Sequence, residues 1–183
     1  MARIKPMWVK SRGIALCIIP KSGSTSFRDA LMAGRFLTKA EVLDCDKRVA
    51  FMRSPLDRWS SAYSFFHFLH ENNIKGQHEH EVPQSVTHNG YEAWVDFALE
   101  VAISEKPNMH WVRQAEIMGG VQTHVYRLNR ANIDAHWGKY WPGIKPGHLN
   151  GLTEHLPITD YRVDEIKNYY SDDLTMYKNL AAV

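Results

Sequence analysis

Apolar and polar positions fall into two rhythms along the chain. Gly13-Ile14-Ala15-Leu16-Cys17-Ile18-Ile19 is an unbroken apolar run, which predicts a strand covered on both faces. Pro20-Lys21-Ser22-Gly23-Ser24-Thr25-Ser26 follows as a turn rich in helix-capping residues, and Phe27 to Met32 takes up helical spacing. A second strand is expected at Val49-Ala50-Phe51-Met52. Ser54 and Pro55 then supply an N-cap and a first-turn proline for a helix from Leu56 to about Leu69. Leu56, Trp59, Tyr63 and Phe66 are its core-facing positions. Residues 71–90 are polar and histidine-rich and read as a long surface loop. Tyr91 to Ser104 is an amphipathic helix presenting Trp94, Phe97, Ala98 and Val101, and Thr123 to Leu128 is a third strand. Residues 137–151 carry Trp137, Trp141, Pro142, Gly143, Pro146, Gly147 and Gly151 and read as a rigid loop. From Asp160 the spacing is helical again. Strands alternating with helices predict an α/β fold with a small, mainly parallel sheet flanked by helices.

At 183 residues, with 44% hydrophobic and 23% charged positions, the chain has the material for a single domain over 1–183. No window approaches the length of apolar sequence needed to span a membrane, and the run from Ile14 to Pro20 is too short for a signal-peptide core. Cys17 and Cys45 make no disulfide framework, so the expected compartment is cytoplasmic. The formal net charge of +2 conceals an asymmetry. Residues 1–60 hold 12 Lys and Arg against 5 Asp and Glu, whereas the remainder is acidic in balance and holds all ten histidines. A basic first third points to an anionic ligand there, and the modest total argues against a nucleic-acid coat.

Two segments carry candidate chemistry. In the loop Lys21 to Ser26, backbone N–H groups at a helix start, the Lys21 charge, the hydroxyls and the close approach allowed by Gly23 suit an anion. An ordinary capped turn has the same composition. The lysine precedes the glycine, opposite to the order of the usual nucleotide-triphosphatase loop. In Arg53-Ser54-Pro55-Leu56-Asp57-Arg58-Trp59-Ser60-Ser61-Ala62-Tyr63, an arginine at a strand end is followed eight residues later by Ser61, a pair able to share a phosphate. A surface arginine and a helix serine are the plain alternative. His78-Glu79-His80-Glu81 reads as solvated loop rather than metal site, because that spacing fits no helix face. Most of the tryptophans read as core, with Trp137 and Trp141 left as candidates for an acceptor pocket.

Taken in order, the two segments resemble those of the sulfotransferases that use 3′-phosphoadenosine 5′-phosphosulfate (PAPS), especially the carbohydrate, Golgi-like branch in a minimal bacterial or viral form. Asn108-Met109-His110-Trp111-Val112-Arg113-Gln114 is similar to that family's His-Trp-x-x-Gln segment. His148-Leu149-Asn150 resembles a His-x-Asn turn, and Tyr169 to Tyr177 resembles its terminal Tyr-x-x-Asp-x-x-x-Tyr helix. The resemblance implies a P-loop-like three-layer domain. It also implies transfer of a sulfuryl group from PAPS to a hydroxyl or amine acceptor, a small molecule or glycan, with no metal, nucleic-acid or membrane partner. It assigns Lys21 to the leaving oxygen, Ser22, Gly23, Ser24, Thr25 and Ser26 to the phosphosulfate, and Arg53 with Ser61 to the 3′-phosphate.

The family often has a histidine between the two motifs; this chain has none. On the helix carrying Ser61, His67 and His70 lie about 120° and about 180° from the serine, off the expected cofactor face. His110, which opens the segment resembling the family's His-Trp-x-x-Gln motif, is the first choice for the catalytic base that the resemblance implies, and Glu41 the second. Two other functions stay open: a P-loop-like small-molecule kinase and an inactive nucleotide-binding protein.

Overall fold

The fold is that of a computed structural model, which describes residues 7–32, 34–74, 81–146, 156 and 159–180. It is α/β. Four strands, β1 (Trp8–Ser11), β2 (Ile14–Cys17), β3 (Lys47–Met52) and β4 (His124–Arg127), lie side by side in chain order. β2, β3 and β4 run parallel, and β1 pairs antiparallel with β2. β1 and its hairpin were not legible beforehand. The turn consists of Arg12 and Gly13, both at positive φ (53° and 78°), which matches the right-handed twist of the strands it joins.

Strand alternation sends successive side chains to opposite faces. Ala15, Cys17, Ile19 and Ala50 pack with Val42 and Cys45 and with Val112, Ile117 and Met118. Those partners come from or beside the short helices α2 (Lys39–Leu43) and α6 (Gln114–Met118). On the other face, Leu16, Ile18, Val49 and Phe51 meet Phe27 of α1 (Ser24–Ala30) together with Ile133, Trp137 and Trp141. A third cluster joins α3 (Pro55–Glu71) to α5 (Tyr91–Ile103) through Trp59, Phe66, Trp94 and Trp111.

The strand and long-helix expectations for 49–52, 56–69, 91–104 and 123–128 match observed elements to within a few residues. The stretch expected to be a rigid loop from 137 does not. It begins inside a helical run made of α7 (Arg130–Asn132), a π-helical turn (Ile133–Trp137) and α8 (Gly138–Tyr140). Trp137 and Trp141 are 2% and 0% exposed, so neither lines an acceptor pocket. Burying a side chain of that size is worth on the order of 4 kcal/mol, which outweighs the punctuation that begins only at Pro142. The polar 71–90 stretch contains a short helix, α4 (Gln84–His88). The closing helix is two, α9 (Val163–Tyr169) and α10 (Ser171–Asn179), broken at Tyr170. Among the described residues no helix is long and apolar enough to cross a membrane. His78, Glu79, His80 and the His148-Leu149-Asn150 turn lie outside the described residues.

Candidate functional site

The parallel strands deliver their C-terminal ends to one edge of the sheet, where ligand-binding loops of open α/β sheets gather. After β2 the chain turns through Pro20 and Lys21, with the Ser22 N–H donating to the Ile19 carbonyl at 3.0 Å. Lys21 has φ 64°, a left-handed backbone that a non-glycine residue adopts at a cost on the order of 1–3 kcal/mol. Gly23 has φ 76° and forms the N-cap of α1 without a side-chain hydrogen bond. Ser24 and Ser26 are half-buried and Thr25 is exposed.

The backbone turn at Lys21 carries its side chain onto α3, where Nζ stands 3.1 Å from the centre of the Phe65 ring. Burial, then the positive charges of Arg53 and Arg58, lower the Lys21 pKa to about 7; the Glu81 carboxylate acts in the opposite direction. Burial likewise presses Arg53 and Arg58 below their ordinary values. Three cations thus crowd one partly desolvated place.

The two arginines of the second segment do different work. Arg53 follows β3 and donates through Nη1 to the Lys21 carbonyl at 3.1 Å, which joins the two sequence motifs directly. Arg58 is 1% exposed and spends its guanidinium on backbone. Nε donates to Pro20 O (2.9 Å), Nη1 to Val112 O (2.7 Å) and Nη2 to Met109 O (2.8 Å). It fixes the loop to the 108–113 segment, a structural role that its place in the motif did not disclose.

Gln114 is the second connector. It is wholly buried; its Oε1 accepts from the Arg53 backbone N–H at 3.1 Å, and its Nε2 donates to the Arg53 carbonyl at 2.9 Å. The Ser22 hydroxyl donates to the same Oε1 at 3.4 Å. Gln114 is held in turn from the C-terminal helices. Asp173 accepts from the backbone N–H groups of Gln114 (2.7 Å) and Ala115 (3.0 Å), satisfying donors at the start of α6. The Tyr170 hydroxyl donates to the Trp111 carbonyl. Four separate stretches of sequence therefore meet around the loop, and two of the meeting points, Gln114 and Asp173, lay within segments noticed beforehand without a role.

Ser61 is buried on α3. It is three residues after Arg58 and four before Phe65, so all three share the helix face turned to the loop. Glu41 stands elsewhere. It closes a capping box with Thr38 at the start of α2 and pairs with Arg35. Those bonds hold its pKa down to about 2, which leaves a feeble base engaged with partners outside the loop. His110 lies beside the site, between Phe65 (6.0 Å, stacked) and Phe66 (5.3 Å, edge-on), with both ring nitrogens sealed from solvent. Its Nε2 is 3.4 Å from Glu81 Oε2, and that carboxylate also accepts from Asn108 Nδ2 at 2.7 Å.

The arrangement suits an anion: a strained loop at a strand end, clustered cations and a serine on the facing helix. Compared with family models, curated proteins and solved structures, the chain matches none.

Proposed function

We propose that this chain is a PAPS-dependent sulfotransferase on a P-loop-like three-layer domain. Its reaction moves a sulfuryl group to a hydroxyl or amine of a small-molecule or glycan acceptor. The observation that carries the reading is the junction of the two sequence motifs: Arg53 donates to the Lys21 carbonyl while Gln114 bonds both Arg53 and Ser22. Two segments that resemble the family's 5′-phosphosulfate and 3′-phosphate segments are thereby bonded to one another, which supports the reading. In this scheme Lys21 faces the leaving oxygen, Ser22 to Ser26 hold the phosphosulfate, and Arg53 with Ser61 hold the 3′-phosphate. The chemistry asks mainly for alignment and for positive charge at the leaving group, and it requires no metal.

Turnover with radiolabelled PAPS tests the reading, using 4-nitrophenol, glucosamine and N-acetylglucosamine as acceptors. Label should appear on at least one acceptor, and Lys21→Ala should lower the rate by about 10²-fold or more, the scale on which a removed electrostatic stabiliser is felt. Transfer by folded Lys21→Ala at the wild-type rate would remove the assignment. Phosphoryl transfer from ATP with magnesium, and none from PAPS, would establish the kinase instead.

A further inference from the structure

We propose that Glu81 is the group that takes the acceptor's proton, and that His110 and Asn108 position it. The inference rests on the sulfuryl-transfer reading above.

Three observations select Glu81. First, it shares the neighbourhood of the lysine assigned to the leaving oxygen: Lys21 Nζ stands 3.1 Å over the Phe65 ring, His110 stacks on the same ring at 6.0 Å, and His110 Nε2 lies 3.4 Å from Glu81. Second, side-chain groups fix its carboxylate: Asn108 Nδ2 donates to Oε2 at 2.7 Å, and His110 Nε2 stands 3.4 Å from the same oxygen. Asn108 is fixed as well, its Oδ1 accepting from the His110 backbone N–H at 2.8 Å. Third, access separates the two partners of the pair: the His110 side chain is 7% exposed and the Glu81 side chain 25%. A base must touch the proton it removes. A ring enclosed by Phe65 and Phe66 with sealed nitrogens cannot meet an acceptor, whereas the half-buried carboxylate can.

The contrast with Asp173 sharpens the choice. Both carboxylates lie near the buried cations, but Asp173 is wholly buried and accepts from two backbone N–H groups, a helix-capping role. Glu81 has an amide and an imidazole for partners, with the Lys21 ammonium close by and the Arg58 guanidinium bonded to the carbonyl of Met109, next to His110.

In the step, the acceptor oxygen or nitrogen forms its bond to sulfur as the bond from sulfur to the phosphate oxygen breaks. The electron pair of the broken bond stays on the phosphate oxygen, facing Lys21. The acceptor's proton passes to the Glu81 carboxylate and then to solvent. His110 and Asn108 touch neither reactant; they hold the carboxylate in place.

The experiment compares wild type, Glu81→Gln, Glu81→Asp and His110→Asn in two measurements. One is calorimetric binding of 3′-phosphoadenosine 5′-phosphate. The other is the pH dependence of kcat with labelled PAPS and whichever of 4-nitrophenol or N-acetylglucosamine the wild type uses. Glu81→Gln should bind the nucleotide within about twofold of wild type, lose at least 10²-fold in kcat and lose the acidic limb of the profile. Glu81→Asp should restore that limb. His110→Asn should keep the limb and lose part of kcat, because the carboxylate is less well placed. Full kcat with an unchanged limb in Glu81→Gln, while wild type binds and transfers, overturns the inference alone. A parallel loss of nucleotide binding in Glu81→Gln overturns it too, by making Glu81 structural. A wild type that neither binds the nucleotide nor transfers overturns both this inference and the reading beneath it.

Discussion

Gln114 grips Arg53 by its backbone on both sides, accepting from its N–H at 3.1 Å and donating to its carbonyl at 2.9 Å. A side-chain amide here continues the sheet's hydrogen bonding one residue past the end of β3. The arginine side chain therefore leaves a backbone that cannot shift without breaking two partly buried bonds.

Replacing Gln114 by Leu keeps the volume and removes the bonds. The half-buried Arg53 N–H and carbonyl lose their amide partner, at up to about 1–3 kcal/mol for each polar group left unsatisfied. Urea unfolding should show a loss within the sum of that range. Nucleotide affinity should fall as well, because the Ser22 hydroxyl and Arg53 lose their common partner. A variant as stable as wild type would mean that water or another side chain takes over the amide's work.

Arg58 and Arg53 should separate in the same assay. Arg58→Met leaves three backbone carbonyls without their donor in a buried place, so a loss of at least about 3 kcal/mol is expected in unfolding. Arg53→Ala, at a half-buried position, should cost much less stability and more affinity. Equal destabilisation by both would contradict the division of labour between them.

On the proposed reading, Lys21 should make anion binding depend on pH. Its pKa is lowered from the usual 10.5 to about 7 by burial and by Arg53 and Arg58. An anion beside Nζ favours the charged form and raises that pKa, so the complex takes up a proton near and above pH 7. Affinity should weaken as pH rises above about 7, by at most about tenfold per pH unit for one linked proton. Calorimetry in phosphate and in Tris at about pH 8 should give different apparent enthalpies, and Lys21→Met should remove the Lys21 contribution. The stability effect has its own sign. Between about 7 and 10.5 the unfolded chain binds the proton that the folded chain has released, so Lys21's contribution to stability rises with pH over that window. Identical enthalpies for wild type and Lys21→Met in both buffers would show that Lys21 is charged throughout.

Much of this was legible in the chain because periodicity is a strong signal where elements are long or fully buried. The apolar run at Ile14 to Ile19 announced β2, and Trp59, Tyr63 and Phe66 announced the buried face of α3. Helices of five residues such as α2 and α6 are too short to show a period, and β1 shows itself only through the Arg12-Gly13 turn. In the candidate site, Lys21 and Arg53 stand out by residue type and position, and the structure joins them through the Lys21 carbonyl. Arg58 stands in the same motif, but only tertiary contact shows that its guanidinium meets three backbone carbonyls. Glu81 was passed over as part of a polar histidine-rich loop. Its meaning comes from Asn108 and His110, which lie 27 and 29 positions further along the chain. No local pattern could supply it.

The most direct measurement is calorimetric titration of wild type and Arg53→Ala with two nucleotides, 3′-phosphoadenosine 5′-phosphate and adenosine 5′-phosphate. Wild type should bind the first far more tightly than the second. Arg53→Ala should lose about 1.5–3 kcal/mol for the first and little for the second, as expected when one charge-assisted contact to the 3′-phosphate is removed. Equal affinity of wild type for both nucleotides, or equal losses for both in the variant, would contradict a site built to read the 3′-phosphate.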